Sequence, residues 1–217
     1  MAVISKQNLK DRLGLPISDP RCLVITPLLG NTEDAFDYDS IDLRLGCYFL
    51  IPQTPPAPFL DPTIPESARQ SHSKIHKPLG SYLVIPAHQT VLGATLEFIK
   101  LPSDVSGQIL TKSSVARTFL IIETAPWIHP LYRGCLTLEI ANVSNTPQIL
   151  YPGFPIGQLI LLQNDAPADT RERLSAAYVG PIEPETPILK HPRDVLKEIG
   201  VEKYRHPHSS KWEPTNS

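Results

Sequence analysis

The chain has 217 residues, 41% of them hydrophobic and 19% charged, with a formal net charge of -2. This ordinary globular balance excludes a disordered chain, and the near-neutral charge excludes a global basic field that attracts nucleic acid or anionic lipid. No apolar run reaches the ~18 residues of a membrane span, the N-terminus lacks a charged-then-apolar signal layout, and the three cysteines (Cys22, Cys47, Cys135) lie far apart with no C-x-x-C pair.

A disulfide framework or zinc knuckle is therefore not expected. The cysteines read as buried thiols in a reducing compartment, which places the protein in the cytoplasm. The 24 prolines are about twice the average frequency. Proline ends helices and is excluded from central strand positions, so this composition predicts short strands and many turns.

In chain order, Ser5 to Gly14 predicts a short helix. Ser5 caps its start, Leu9 and Leu13 share a face, and Gly14 ends it. Residues 22–29 read as a buried strand, and 31–39 as an acidic loop. Residues 40–48 alternate apolar and polar, the period of a half-buried strand, with Asp42 and Arg44 sharing the outer face as a weak ion pair. Residues 52–80 form a long Pro-, Ser- and His-rich insertion, read as a mobile loop covering a site. Its His72 and His76, four apart, suit a metal only if helical, and the loop reading is preferred.

From residue 81 onward, strand-like runs recur with turn signals between them: two around Pro86-Ala87-His88, others across 105–142, and a last pair about Pro152-Gly153. Helical periodicity is nearly absent. The fold class predicted is all-β with a few short helices, a sandwich or barrel. After Asn164 the texture turns polar and Pro-rich. Residues 194–199 read as a helical turn or two, and the last dozen as a tail.

Two features carry candidate chemistry. In Lys112-Ser113-Ser114-Val115-Ala116-Arg117, two cations flank two hydroxyls, a group that suits phosphate. By spacing alone, a polar hairpin turn or helix cap is the plainer reading. Glu139 lies between Leu138 and Ile140, sharing a strand face with Thr137 and Ala141. It is either a solvated carboxylate or, if buried in a cleft, a general base with a raised pKa. No Walker-type or dinucleotide-binding glycine loop is present.

Three motifs in order carry a family likeness: K-S-S-V-A-R (112–117), T-A-P-W-I-H-P-L-Y-R-G-C-L-T-L-E-I-A-N-V-S-N (124–145) and L-Y-P-G-F-P-I-G-Q-L (150–159). Together with S-I-D-L-R-L-G (40–46) and L-E-F-I-K-L-P-S-D-V-S-G (96–107), the chain over residues 1–165 resembles the dCTP deaminase branch of the trimeric dUTPase superfamily. The resemblance implies a distorted β-barrel or jelly-roll of the dUTPase-like type over 1–165, with 166–217 as a C-terminal tail, lid or subunit-packing arm. It implies a homotrimer acting on a nucleoside triphosphate (dCTP or dUTP) carried with Mg²⁺, no zinc, and neither a nucleic acid polymer nor a membrane as partner.

Carried over by position, the resemblance makes Glu139 the general acid/base for hydrolytic deamination of dCTP. It implies that Ser113 and the carbonyl of Ala125 hold the water and amino group. Ser114, Arg117 and Lys112 are implied to grip phosphates, with Arg117 also beside Glu139 and keeping it ionised. Trp127, His129, Gln158 and Tyr178 complete the implied substrate set. The chain departs from the pattern at Phe119, where the family has Gly, in a 117–125 segment one residue short, and at His129, where the family has Asp. The last departure argues against dUTP hydrolysis. The alternatives are a degenerate nucleotide-binding or regulatory trimer and, behind it, a dUTP diphosphatase.

Overall fold

The computed structural model describes residues 2–29, 36–54, 60–61, 63–169, 180–187, 189–204 and 213–215. Its elements begin with β1 (Ala2–Val3), α1 (Lys6–Leu13), β2 (Val24–Thr26), β3 (Ser40–Arg44), β4 (Tyr48–Pro52), α2 (Pro65–Gln70) and β5 (His72–His76). Then follow β6 (Leu83–Ile85), β7 (Thr90–Lys100), β8 (Val105–Thr111), α3 (Ser113–Ala116), β9 (Leu120–Ile122), β10 (Trp127–Ile128) and β11 (Arg133–Asn142). The remainder is β12 (Gln148–Leu150), β13 (Pro155–Gln163), α4 (Pro192–Glu198), β14 (Lys203–Tyr204) and β15 (Glu213–Pro214). The class is all-β with a few short helices, as the turn-rich sequence predicts.

Two compact units emerge, one from residues 1–51 and 74–185, the other from 52–73 and 186–217. The first unit holds two larger antiparallel sheets beside the two-stranded β12-β6 pair. One runs β1-β13-β8-β10, with β3 also on β13; the other runs β5-β4-β7-β11-β9, with β2 also on β7. These are open sheets among the described residues, not a closed barrel. Their inward side chains form one core in which Leu9, Ile41, Phe49, Ile99, Leu138 and Leu159 are fully buried. Each such side chain contributes on the order of 1.5–3 kcal/mol of hydrophobic stabilisation.

α1 forms where predicted, between Ser5 and Gly14, with Leu9 buried against the core, but its start lacks the expected side-chain cap. Ser5 makes no side-chain cap bond, and Gly14 closes the helix at φ -79°, without a left-handed turn. The anchor is lateral instead. Arg12 forks onto both oxygens of Asp104 at 3.1 and 2.8 Å and reaches Gln163 at 2.6 Å.

The alternation of 40–44 predicts β3 well: Ile41 and Leu43 are buried while Asp42 and Arg44 are half-buried. The predicted Asp42–Arg44 pair does not form. Asp42 pairs with Lys112, and the Arg44 guanidinium donates to the carbonyls of Gly153 and Leu29. Those carbonyls turn toward Arg44 at a corner of the chain, an arrangement that strand period alone does not reveal. The strands about Pro152-Gly153 are likewise not partners. β12 pairs with β6, while β13 crosses to β8 and β3.

The second unit contains α2, for which Pro65 supplies a favourable first-turn residue. His72 and His76 lie on strand β5, not on a helix, so four-residue spacing does not bring their rings together. Gln53 donates to the carbonyls of Gln70 and His72. α4 covers the predicted 194–199 turn, and β14 pairs with β15 where a tail was expected. No described helix is long and apolar enough to cross a membrane. Of the three thiols, Cys22 and Cys135 are buried and Cys47 is half-buried, all unpaired.

Candidate active site

The 107–139 stretch folds as strand, one helical turn, short strand, loop and long strand. β8 ends at Thr111, and Lys112 turns the chain by donating its N–H to the Ile156 carbonyl at 3.1 Å. α3 then carries Ser113 and Ser114, both exposed, on its first turn and passes to exposed Arg117. Thr111 ties this corner to the next strand: its hydroxyl accepts the Ile122 N–H at 2.8 Å.

Phe119 closes the turn at φ 65°, the left-handed region in which a Cβ is crowded. This is the position where the family pattern carries glycine. The Phe119 ring is 60% exposed, so burial does not offset the strain.

Glu139 sits on β11, opposite Leu92 of β7. Leu136, Leu138 and Ile140 turn into the core, while Thr137 and Glu139 are half-buried on the other face. Burial pushes the Glu139 carboxyl above the ordinary carboxylate range, and the nearby charge of Glu123 pushes the same way. Hydrogen bonds from the Thr124 hydroxyl and the Ala125 backbone N–H pull it back. Arg117, implied by the resemblance to keep Glu139 ionised, is not among the groups acting on it. Thr124 and Ala125 are the groups that favour its ionised form, against the larger effect of burial.

The remaining predicted residues spread over the same sheet region. Lys112 is ion-paired with Asp42, and Gln158 stands opposite both Asp42 on β3 and Leu110 on β8. Trp127, 41% exposed, pairs with Gln108 on the other side of β8, and His129 is exposed just beyond it. Ser113, Ser114 and Arg117 lie at the start of β9, while Ala125 and Glu139 lie past its end. Tyr178 lies outside the described residues. Among the described residues, no three His, Cys, Asp or Glu side chains gather as a metal site.

Sequence reading missed Glu97. Its carboxyl is 2% exposed, accepts the Arg44 N–H at 2.8 Å, and is pushed to about 7 by burial. Counting by twos from Val91 to Ile99 places Glu97 on the inward face. Leu92, Leu96 and Phe98 on the opposite face disguised that signal. Thr124 was also missed as a partner of Glu139, because the contact is made by a loop leaving a ladder.

Comparison with known proteins adds to this geometry. A family model described as dCTP deaminase-like matches residues 6–164. A "dCTP deaminase, dUMP-forming" of Mycobacterium avium (strain 104) is 38% identical over 131 residues, 60% of this chain and 68% of that protein. One of Methanobrevibacter smithii is 28% identical over 194 residues, 88% of this chain and 96% of the relative. Among solved structures, 2'-deoxycytidine 5'-triphosphate deaminase from Agrobacterium tumefaciens shares the fold at TM-score 0.56 and 19% identity. That match covers 95% of this chain, which spans 55% of the solved chain. With the motifs in order, the two-sheet scaffold beneath them and a family match over most of its length, the chain belongs to the dCTP deaminase-like family.

Proposed function

We propose that this chain hydrolytically deaminates dCTP, with Glu139 as general acid and base. The observation that carries the reading is a half-buried carboxylate, raised by burial toward the working pH, on a scaffold whose matched relatives are named dCTP deaminases. A base is most effective when its pKa lies near the operating pH.

In the proposed reaction Glu139 takes a proton from water as the water oxygen bonds to C4 of cytosine. That proton passes to N3, which has received the electron pair of the C4–N3 double bond. Glu139 then moves the hydroxyl proton to the amino nitrogen. The C4–N bond breaks with ammonia leaving, and C4 becomes a carbonyl. Ser113 and the carbonyl of Ala125 hold the water and amino group in this reading. Ser114 and Arg117 hold phosphates, and Lys112 joins them by exchanging its Asp42 partner. Trp127, His129, Gln158 and Tyr178 complete the substrate set.

Mg²⁺ is proposed to enter with the nucleoside triphosphate; among the described residues no three His, Cys, Asp or Glu side chains gather as a separate metal site. A homotrimer, with sites completed between subunits, belongs to the same proposal and is checked by sedimentation. Residues 166–217 are proposed as its tail, a lid or subunit-packing arm.

His129 stands where the resemblance calls for Asp, so dUTP is the product favoured. The names of the matched relatives favour a second reading, in which hydrolysis continues to dUMP. Purified protein with dCTP and Mg²⁺ is expected to release ammonia, and Glu139→Gln to reduce the rate by at least about a hundredfold. Product analysis separates dUTP from dUMP plus pyrophosphate. A zinc-selective chelator is expected to leave the rate unchanged. Nucleotide binding without ammonia from dCTP, dCMP or CTP overturns the enzyme reading in favour of a regulatory binding protein.

A further inference from the structure

The edge of β11 shows how Glu139 is held. Along this edge β9 pairs with residues 140–142, and the Glu123 N–H then donates to the Glu139 carbonyl at 2.8 Å. An antiparallel pair of this kind normally exchanges two bonds, the second running from the Glu139 N–H to the Glu123 carbonyl. Here the chain bends away at Thr124, and the return bond goes to a side chain: the Glu139 N–H donates to the Thr124 hydroxyl at 2.9 Å.

The hydroxyl that accepts this bond has one proton of its own, and the Thr137 carbonyl lies at 3.4 Å, a long contact. The Glu139 carboxylate is near enough for the hydroxyl to lower its proton affinity. A hydroxyl rotates to suit its acceptors, and an ionised carboxylate is the stronger of the two.

We propose that Thr124 is the positioning residue of Glu139: its hydroxyl accepts the Glu139 N–H where the ladder with β9 ends, and so holds the backbone from which the carboxylate projects. Its catalytic consequence rests on the role proposed above for Glu139; the hydrogen-bond geometry does not. The elements around Glu139 support the assignment. β7 presents Leu92 opposite it, β9 contributes Ile121 and Ile122, and the neighbouring charged group is Glu123, which opposes ionisation. Thr124 and the Ala125 N–H are the groups that favour it. Burial is the larger cause of the raised proton affinity of Glu139, and the loop from Glu123 to Ala125 modifies it in both directions.

The test compares Thr124→Val, which keeps the shape, with Thr124→Ser, which keeps the hydroxyl. The Glu139 carboxyl is titrated directly by carbon-detected NMR with labelled glutamate, its signal assigned with Glu139→Gln. Thr124→Val is expected to raise the Glu139 midpoint by about half to one pH unit, and Thr124→Ser to restore it. The acid limb of the kcat/KM profile for ammonia release is expected to move by the same amount. Thermal unfolding accompanies each variant, and Thr124→Ala serves if Thr124→Val does not fold. An unchanged Glu139 midpoint in folded Thr124→Val or Thr124→Ala overturns the proposal. A shifted midpoint in a protein that releases no ammonia upholds the positioning role and overturns the deaminase reading instead.

Discussion

At the scale of single residues, Glu97 and Phe119 depart most from what their surroundings favour. Burial of the Glu97 carboxyl favours its protonated form and outweighs the Arg44 N–H that it accepts, which favours the ionised one. Its folded pKa, about 7, lies above the ordinary 4.5. The stability it contributes is complete below about pH 4.5 and is lost as pH rises through about 7, amounting to about 3 kcal/mol. Glu97→Gln is expected to be more stable than the parent at pH 8 by up to that amount, with the difference vanishing near pH 4. Urea unfolding at both pH values checks it, and a constant difference rules the account out. Phe119 stores backbone strain at φ 65° with its ring mostly in solvent. Phe119→Gly relieves on the order of 1 kcal/mol of that strain, partly offset by the greater freedom of an unfolded glycine. The net expectation is a melting temperature equal to the parent's or slightly above it.

At the scale of elements, the edge of β11 explains why the chain beyond residue 165 returns to the first unit. Gly180 donates to the Arg133 carbonyl at 2.9 Å, and the Cys135 N–H donates to the Pro181 carbonyl at 2.6 Å. Glu185 donates its N–H to the Thr137 hydroxyl at 3.3 Å. β9 serves the far end of the edge, Thr124 its middle, and residues 180–185 its near end, so the edge groups find partners in turn. Gly134 makes this docking feasible: a Cβ there falls 2.4 Å from Pro181 Cδ, at φ 143°. Gly134→Ala is expected to cost about 2–4 kcal/mol through overlap and strain, and limited proteolysis is expected to cut earlier between 165 and 185. The α1 anchor gives a parallel case. Arg12→Ala strands the half-buried Asp104 carboxylate and is expected to cost about 2–3 kcal/mol in denaturant unfolding.

At the scale of the molecule, the phosphate grip proposed at 112–117 and the base proposed at 139 predict measurable linkage to nucleotide. A ligand that binds only the folded state at a hundred times its Kd stabilises by about 2.7 kcal/mol. dCTP with Mg²⁺ is therefore expected to raise the melting temperature. Arg117→Ala is expected to weaken that rise, whereas Glu139→Gln keeps most of it while losing turnover. Equal shifts in the parent and Arg117→Ala would remove Arg117 from the phosphate site.

The sequence by itself determined the parts governed by short-range rules. Period-2 alternation set β3 and the inward face of β11, proline and glycine set the turns, and motif order set the family. It also singled out Glu139 and the serine turn. Only the tertiary structure decided which groups meet. Lys112 takes Asp42 from Arg44, β12 pairs with β6 while β13 crosses to β8, and Glu97 turns inward beneath β3. The physical reason is that partner choice depends on where the chain leaves one ladder and joins another. At Thr124 such a departure turns an ordinary loop threonine into the group that holds the candidate base.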